Sequence, residues 1–330
     1  DNVELDIVIE ATGTPAAGAL VAKNVLNRGI NLILLNVETE ATIGLALRKE
    51  AEKNNAIVTV ADGDEPVAAL DLYNFARELS FDVISIGKGK NNPFNTFATP
   101  SSLTKEASLK QMNPKMLTSF VDGTKTMVEM AALANFLGFN IDIDGMHGIE
   151  ATYENINQFY IPKKDGGLLD ESQVVDFAFG IAPGVFAVIY SEDDYVNYEM
   201  EYLKMGKGPY WTLARPYHLT SLEIPRTIRH IMLEKYSKLS AQSWNVEVVA
   251  HAKQDIEPGT NLGSIGGDYI YGKAQKTSSS KGLLPIGIAE DNVVTKAIAK
   301  GNPIAIDEVD AQDNELCEYW DYQNQILDSD

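Results

Sequence analysis

The sequence predicts an α/β protein built on a parallel, doubly wound sheet, followed by an α+β segment and a small β-rich one. Three observations carry this. Strand-like and helix-like stretches alternate from residue 5 to residue 86, the character changes near Pro100, and short strands bracketed by Pro and Gly fill the chain from Asn245. The expected boundaries are 1–98, 99–242 and 243–330.

Leu5-Asp6-Ile7-Val8-Ile9 is a short β-branched run, the pattern of a strand buried on both faces of a parallel sheet. Thr12-Gly13-Thr14-Pro15 breaks it, with Thr14 suited to an N-cap and Pro15 to the first helical position. Ala17, Leu20, Val21 and Val25 recur at helical spacing before Gly29, a C-cap glycine, and Ile30 to Leu35 forms a second strand. The unit is a right-handed βαβ crossover, and ligands of such sheets gather at the carboxyl ends of the strands, here Glu10-Ala11-Thr12-Gly13 and Asn36-Val37-Glu38. A helix over 43–53, a strand over 56–60 ending at Ala61-Asp62-Gly63-Asp64, a helix over 65–79 and a strand over 82–86 continue the alternation. No G-x-G-x-x-G follows a strand near the N-terminus. The sheet is therefore expected to be a partial Rossmann-type one, the numbered sequence omitting a first half of roughly a hundred residues. The other reading is that no dinucleotide site exists.

Gly87-Lys88-Gly89-Lys90-Asn91-Asn92-Pro93 reads as a loop at a strand's carboxyl end, suited to an anionic or polyhydroxylated substrate, or as a solvated turn. Val121-Asp122-Gly123-Thr124-Lys125 opens a helix carrying Met127, Met130, Leu133 and Leu137 and closed by Gly138; Lys125 on its first turn suits a phosphate or carboxylate. Asp142, Asp144 and His147 are candidate metal ligands, or a strand end and tight turn. A buried strand is expected over 183–190 and a helix over 193–205 whose Tyr195, Tyr198 and Tyr202 pack. Arg215 offers a bidentate fork for phosphate or carboxylate, and His218, at the start of a helix to about Tyr236, a general acid or base, or else a cap. From Asn245 strands and turns alternate; Lys276 to Lys281 is a small polar loop, mobile over a site or merely exposed, and an acidic segment from Glu308 to Asp330 packs at the end.

The 330 residues are 45% hydrophobic and 22% charged, ordinary for a globular protein with room for two or three domains. With 27 Lys and Arg against 47 Asp and Glu the net charge is −20, which argues against nucleic acid as a partner. No run of about 18 apolar residues supports a membrane span, and no signal-peptide pattern supports secretion. The single cysteine, Cys317, fits a reducing, cytoplasmic setting.

Glu10-Ala11-Thr12-Gly13 followed by Asn36-Val37-Glu38 resembles the second half of the nucleotide-binding domain of homoserine dehydrogenase-like oxidoreductases. There the strand ending in E-A/C-T/S-G comes beside the nicotinamide and the next ends in an Asn-Lys pair; the lysine is absent here. The resemblance implies that Glu10, Ala11, Thr12, Gly13, Asn36 and Glu38 bind the cofactor. The Asp122-Gly123-Thr124 segment is similar to the N-G-T segment that opens the family's substrate domain, which implies that these residues and Lys125 belong to the substrate pocket. Gly208-Pro209-Tyr210 and Arg215-Pro216-Tyr217-His218-Leu219 to Glu223, with the 87–92 segment, resemble deoxyxylulose-phosphate reductoisomerase-like enzymes over most of residues 5–310. Those enzymes reduce and rearrange a ketose phosphate with NADPH, feeding isoprenoid synthesis. Ala252 to Leu262 and Ile298 to Ile304 resemble a SAF domain.

On these resemblances the expected function is NAD(P)H-dependent reductoisomerisation of deoxyxylulose phosphate to methylerythritol phosphate. NADP(H) or NAD(H) would be the cofactor, Mg or Mn the metal, and a homodimer the assembly. Lys88, Lys90, Lys125 and His218 are the expected catalytic groups, with Asn91, Asn92, Asp122, Gly123, Thr124, Arg215 and Tyr217 holding a phosphorylated or acidic sugar. The alternatives are a dehydrogenase of a sugar acid or polyol, and a non-catalytic sugar- or nucleotide-binding protein.

Overall fold

A computed structural model describes residues 3–310 and 312–329; Asp1, Asn2, Ala311 and Asp330, at the edges of the expected segments or inside the last, lie outside the described residues. The elements in chain order are β1 Ile7–Glu10, α1 Pro15–Leu26, β2 Asn31–Leu34, α2 Val37–Lys53, β3 Val58–Val60, α3 Glu65–Glu78 and β4 Asp82–Lys90. Then come α4 Pro100–Leu109, α5 Pro114–Val121, α6 Thr124–Leu137, β5 Ile149–Glu150, β6 Val174–Phe179, β7 Val185–Tyr190, α7 Asp194–Tyr202, β8 Tyr210–Arg215 and α8 Ile224–Arg229. Last are β9 Val246–Ala252, β10 Ile270–Lys276, β11 Val293–Val294, β12 Val309–Asp310 and α9 Glu315–Leu327. None of the described helices is long and apolar enough to cross a membrane.

The α/β class holds. β1, β2 and β3 form a parallel sheet in that order. Leu32 and Leu34 face α1 and α2, which pack on each other, while Ile33 faces Ile231 and the segment around α8. Both crossover helices thus share one face, and the doubly wound arrangement is not formed among the described residues. The expected fourth strand leaves this sheet altogether. β4 is instead the centre of a mixed five-stranded sheet, β5-β6-β4-β7-β8, parallel to β6 and antiparallel to β7.

β4 also runs four residues further than expected, turning Gly87-Lys88-Gly89-Lys90 from loop into strand. Its glycines allow the close approach of neighbouring backbones: a Cβ on Gly87 would meet the Asp176 carbonyl oxygen at 1.7 Å, and one on Gly89 the Ala182 nitrogen at 2.4 Å. Lys88 between them and Lys90 after them are buried. β6, β8 and β10 had no counterpart in the sequence reading. Tyr195, Tyr198 and Tyr202 of α7 are 65–70% exposed rather than packed, because α7 lays only the edge of one face against its neighbours.

Helix α6 is buried on almost every side, as its small and apolar composition permits. It packs against α2, α3, β6, β9 and β10, and one continuous core joins residues of all three expected segments around it. In the last segment β9 and β10 pair antiparallel, and single bridges from β9 to Pro285 and Pro303 tie the turns to them. Residues 277–280 form a compact hydrogen-bonded turn with Ser280 buried. α9 packs across α1 and α2.

Candidate active site

The carboxyl ends of β2 and β3, the end of β4 and the first turns of α6 converge on a cavity of about 390 Å³. Parallel strands direct their backbone ends and following loops to one edge, where ligands of open α/β sheets bind. Six of the residues singled out by sequence line the cavity: Lys88, Lys90, Asn91, Asn92, Lys125 and His218. Asp64, Glu65, Thr126, Glu129 and Thr220 join them without having been anticipated. Two signals pointed to them. Asp64 and Glu65 follow the carboxyl end of a strand, and Glu129 lies one helical turn after Lys125.

The charges inside are mostly committed to one another. Lys88 Nζ lies 2.8 Å from Glu65 Oε1 and donates a short hydrogen bond to Glu129 Oε2. Lys125 Nζ sits 3.1 and 3.3 Å from the two carboxylate oxygens of Glu38 and 3.8 Å from Glu129 Oε1. Burial works against the charged form of Lys88 but is outweighed by Glu129 and Glu65, which hold its pKa above the ordinary lysine value; Glu38 and Glu129 do the same for Lys125. Burial likewise disfavours ionised Glu65, yet Lys88 and His218 bring its carboxyl well below the usual range, whereas burial and the Glu65 charge push Glu129 upward. Burial, countered by Lys125, pushes Asp64 upward too.

Lys90 differs. Its ammonium donates to the Phe120 carbonyl and lies 5.6 Å from the centre of the Phe94 ring, and among the described residues no carboxylate lies within ion-pair distance. Burial, and then the Lys88 charge, lower its pKa to about 8. His218 is held by its other ring nitrogen: Nδ1 lies 3.2 Å from the Gly63 carbonyl and 3.1 Å from Thr220 Oγ1, leaving Nε2 3.5 Å from Glu65 Oε1. It sits in the loop before α8, six residues short of the helix it was expected to begin, because Ser221 takes a left-handed turn and Pro225 fits the first turn of a helix starting at Ile224.

At the end of β1, Glu10 is buried and its Oε1 accepts from the Thr12 N–H at 2.6 Å, while Oε2 has no hydrogen-bond partner among the described residues. Ala11, Thr12 and Gly13 are exposed. Thr14 stands at the N-cap of α1 without a side-chain cap bond; Asn36 Nδ2 instead donates to its carbonyl, and Asn36 Oδ1 caps α2 through the Thr39 N–H.

The other expected residues lie elsewhere. The Arg215 guanidinium is bonded to Glu223, lies 3.5 Å from Asp71 and stacks on Tyr217 at 4.8 Å, so neither residue lines the cavity. Asp122, Gly123 and Thr124 build the turn behind it. Gly123 has φ +92°, with the Phe94 ring where a Cβ would be, and Asp122 accepts from the Thr124 N–H at 2.8 Å and pairs with Lys253 at 2.8 Å. Asp142 is bonded to His147 at 2.8 Å and accepts from the Asp170 N–H, and Asp144 is exposed, so the three do not converge as ligands. The acidic group that the described residues do bring together is Asp64, Glu65 and Glu129, with ligand oxygens within 4.8 Å of one another.

Residues 63–224 match the family model described as "Oxidoreductase DRL, catalytic domain". The match takes in every ionisable side chain lining the cavity. At the level of class, the segment that builds the site is of oxidoreductase type. No curated protein matches the chain. Among solved structures, similarity is found to an oxidoreductase from Bacillus cereus at 14% identity over 71% of this chain and 72% of that one, with a TM-score of 0.32. A proposed oxidoreductase from Bacillus subtilis is similar at 10% identity, over 69% and 72% of the two chains, with a TM-score of 0.30.

Proposed function

We propose that the protein is a nicotinamide-dependent oxidoreductase that reduces a small polyhydroxylated carbonyl compound, with rearrangement of a ketose phosphate as the leading case. The observation that supports it is the convergence of Lys88, Lys90, Lys125 and His218 on one cavity at the carboxyl edge of a parallel sheet. The residues at the end of β1 fit a nicotinamide group: an exposed turn with open space above Gly13 stands beside the unpartnered Glu10 Oε2, an acceptor suited to an amide N–H. When bound, the nicotinamide supplies the hydride that reduces the carbonyl carbon. The chain's own part is to hold the substrate hydroxyls on Asn91, Asn92 and Thr220 and to deliver a proton from Lys90 Nζ to the carbonyl oxygen as it gains charge. His218 Nε2, oriented through Nδ1, is the second proton-handling group.

A sugar-acid or polyol dehydrogenase is the second reading, favoured by one observation. The Arg215 fork that a phosphate would use is taken up by Glu223 and Asp71 away from the cavity. The test follows the oxidation of NADPH and NADH with deoxyxylulose phosphate, then the reduction of NADP+ and NAD+ with a panel of sugar acids and polyols. Turnover lost in Lys90→Met and His218→Ala supports the reading. Turnover on the panel alone moves the substrate to the second reading, and cofactor binding without turnover on any of them overturns both.

A further inference from the structure

We infer that the Lys88 ammonium, not a divalent metal ion, is the resident cation of the Asp64–Glu65–Glu129 carboxylate cluster. The inference rests on the proposed function and deepens it, since Mg or Mn would be the simplest means of polarising a ketol in the ketose rearrangement. Three hard oxygen donors within 4.8 Å of one another would suit such an ion. The position is already filled. Lys88 Nζ bonds Glu65 Oε1 and Glu129 Oε2, two of the three donors, and the Lys88 side chain is 8% exposed. Lys125 approaches the remaining oxygen of Glu129 at 3.8 Å, and His218 Nε2 lies 3.5 Å from Glu65 Oε1.

Lys88 has no easy way out. Its backbone is locked into the centre of the five-stranded sheet, paired with Phe177 on one side and Val185 on the other. Main-chain atoms of Asp176 and Ala182 lie within 3 Å of where Cβ atoms on the flanking glycines would be, so neighbouring backbone packs closely on either side of Lys88. An ammonium bonded to two of these carboxylates in a buried site leaves no room for a second cation on the same oxygens, because a metal ion there would lie at contact range of a like charge. Polarisation of a substrate carbonyl in this cavity then falls to lysine N–H donors.

The experiment measures Mn2+ binding to the full chain by electron paramagnetic resonance and water-proton relaxation, with no substrate present. Its outcome therefore stands apart from whether the proposed reaction is found. The wild type is expected to bind Mn2+ no more tightly than about 1 mM. Lys88→Met, which frees the carboxylates, is expected to bind at least about tenfold more tightly, and Lys88→Met with Asp64→Asn to lose that gain. Lys88→Arg keeps the charge and is expected to behave as wild type, a comparison that holds if the methionine variant does not fold. Micromolar binding by the wild type that Asp64→Asn or Glu129→Gln abolishes would overturn the inference.

Discussion

Replacing Lys253 by methionine leaves a carboxylate stranded inside the protein. The side chains of Lys253 and Asp122 are 1% and 0% exposed, their charged atoms lie 2.8 Å apart, and Lys253 Nζ also donates to the Gly267 carbonyl at 2.8 Å. Burial pushes the Asp122 carboxyl above its ordinary pKa, and Lys253 is the charge that opposes this. Methionine keeps the length of the side chain and removes the partner. Breaking a buried pair from one side costs about 3–5 kcal/mol. That is a large part of the about 5–15 kcal/mol that holds a folded chain together. The Asp122→Asn change leaves the lysine unpaired instead, at a similar cost, and the double variant removes both charges, so it is expected to be more stable than the sum of the singles implies, by up to about 3 kcal/mol. Guanidinium unfolding followed by far-ultraviolet circular dichroism gives all three values. A loss below about 1 kcal/mol for Lys253→Met, the scale of a surface pair, would refute the reasoning. So would strict additivity in the double variant.

Glu40, buried in α2 against the Ala241 N–H, has its pKa raised by burial to about 7. The folded state therefore holds a proton that the unfolded chain releases above pH 4.5, and this contribution to stability is lost as pH rises from 4.5 to 7. Glu40→Gln keeps the acceptor for Ala241 and should gain about 3 kcal/mol at pH 8 with almost none at pH 4.5; thermal unfolding showing equal gains at both would sink the assignment. With Lys90 as proton donor, kcat/KM should fall above a pH of about 8. In Lys90→Arg that limb should move beyond the working range, whereas an unmoved limb would assign the titration to another group. Gly87→Ala forces a Cβ against the Asp176 carbonyl and should cost the upper part of about 1–3 kcal/mol by thermal melting; a loss under about 0.5 kcal/mol would show that β4 and β6 have room to part.

The local devices were legible in the chain. Pro15 at the start of α1, Gly29 after it and Gly138 after α6 act through neighbours a few residues away, and the structure uses each of them; the β-branched run forms β1, but as an edge strand with Ile9 exposed rather than buried on both faces. The lysines and asparagines of 88–92 were legible as site candidates because they follow a strand towards its carboxyl end, where ligands of α/β sheets gather. The partition of strands was not. Asp82 to Ile86 reads as one more strand of the first sheet, and its place beside β6 and β7 depends on pairings with residues 89 or more positions further on.

What the sequence determined by itself, then, is the α/β class, the alternating elements up to β4, helix α6 with its closing Gly138 and the polar stretch around Lys88 and His218, because these follow from periodicity and backbone preference within a few residues. Which charges remain free was decided by tertiary structure alone. Arg215 and Lys90 are both plain cations in the sequence. Folding places Asp71 and Glu223 against the first and only a carbonyl and a ring against the second. A charge's availability depends on what the rest of the chain brings within a few ångströms of it, and that distance is written in no local pattern.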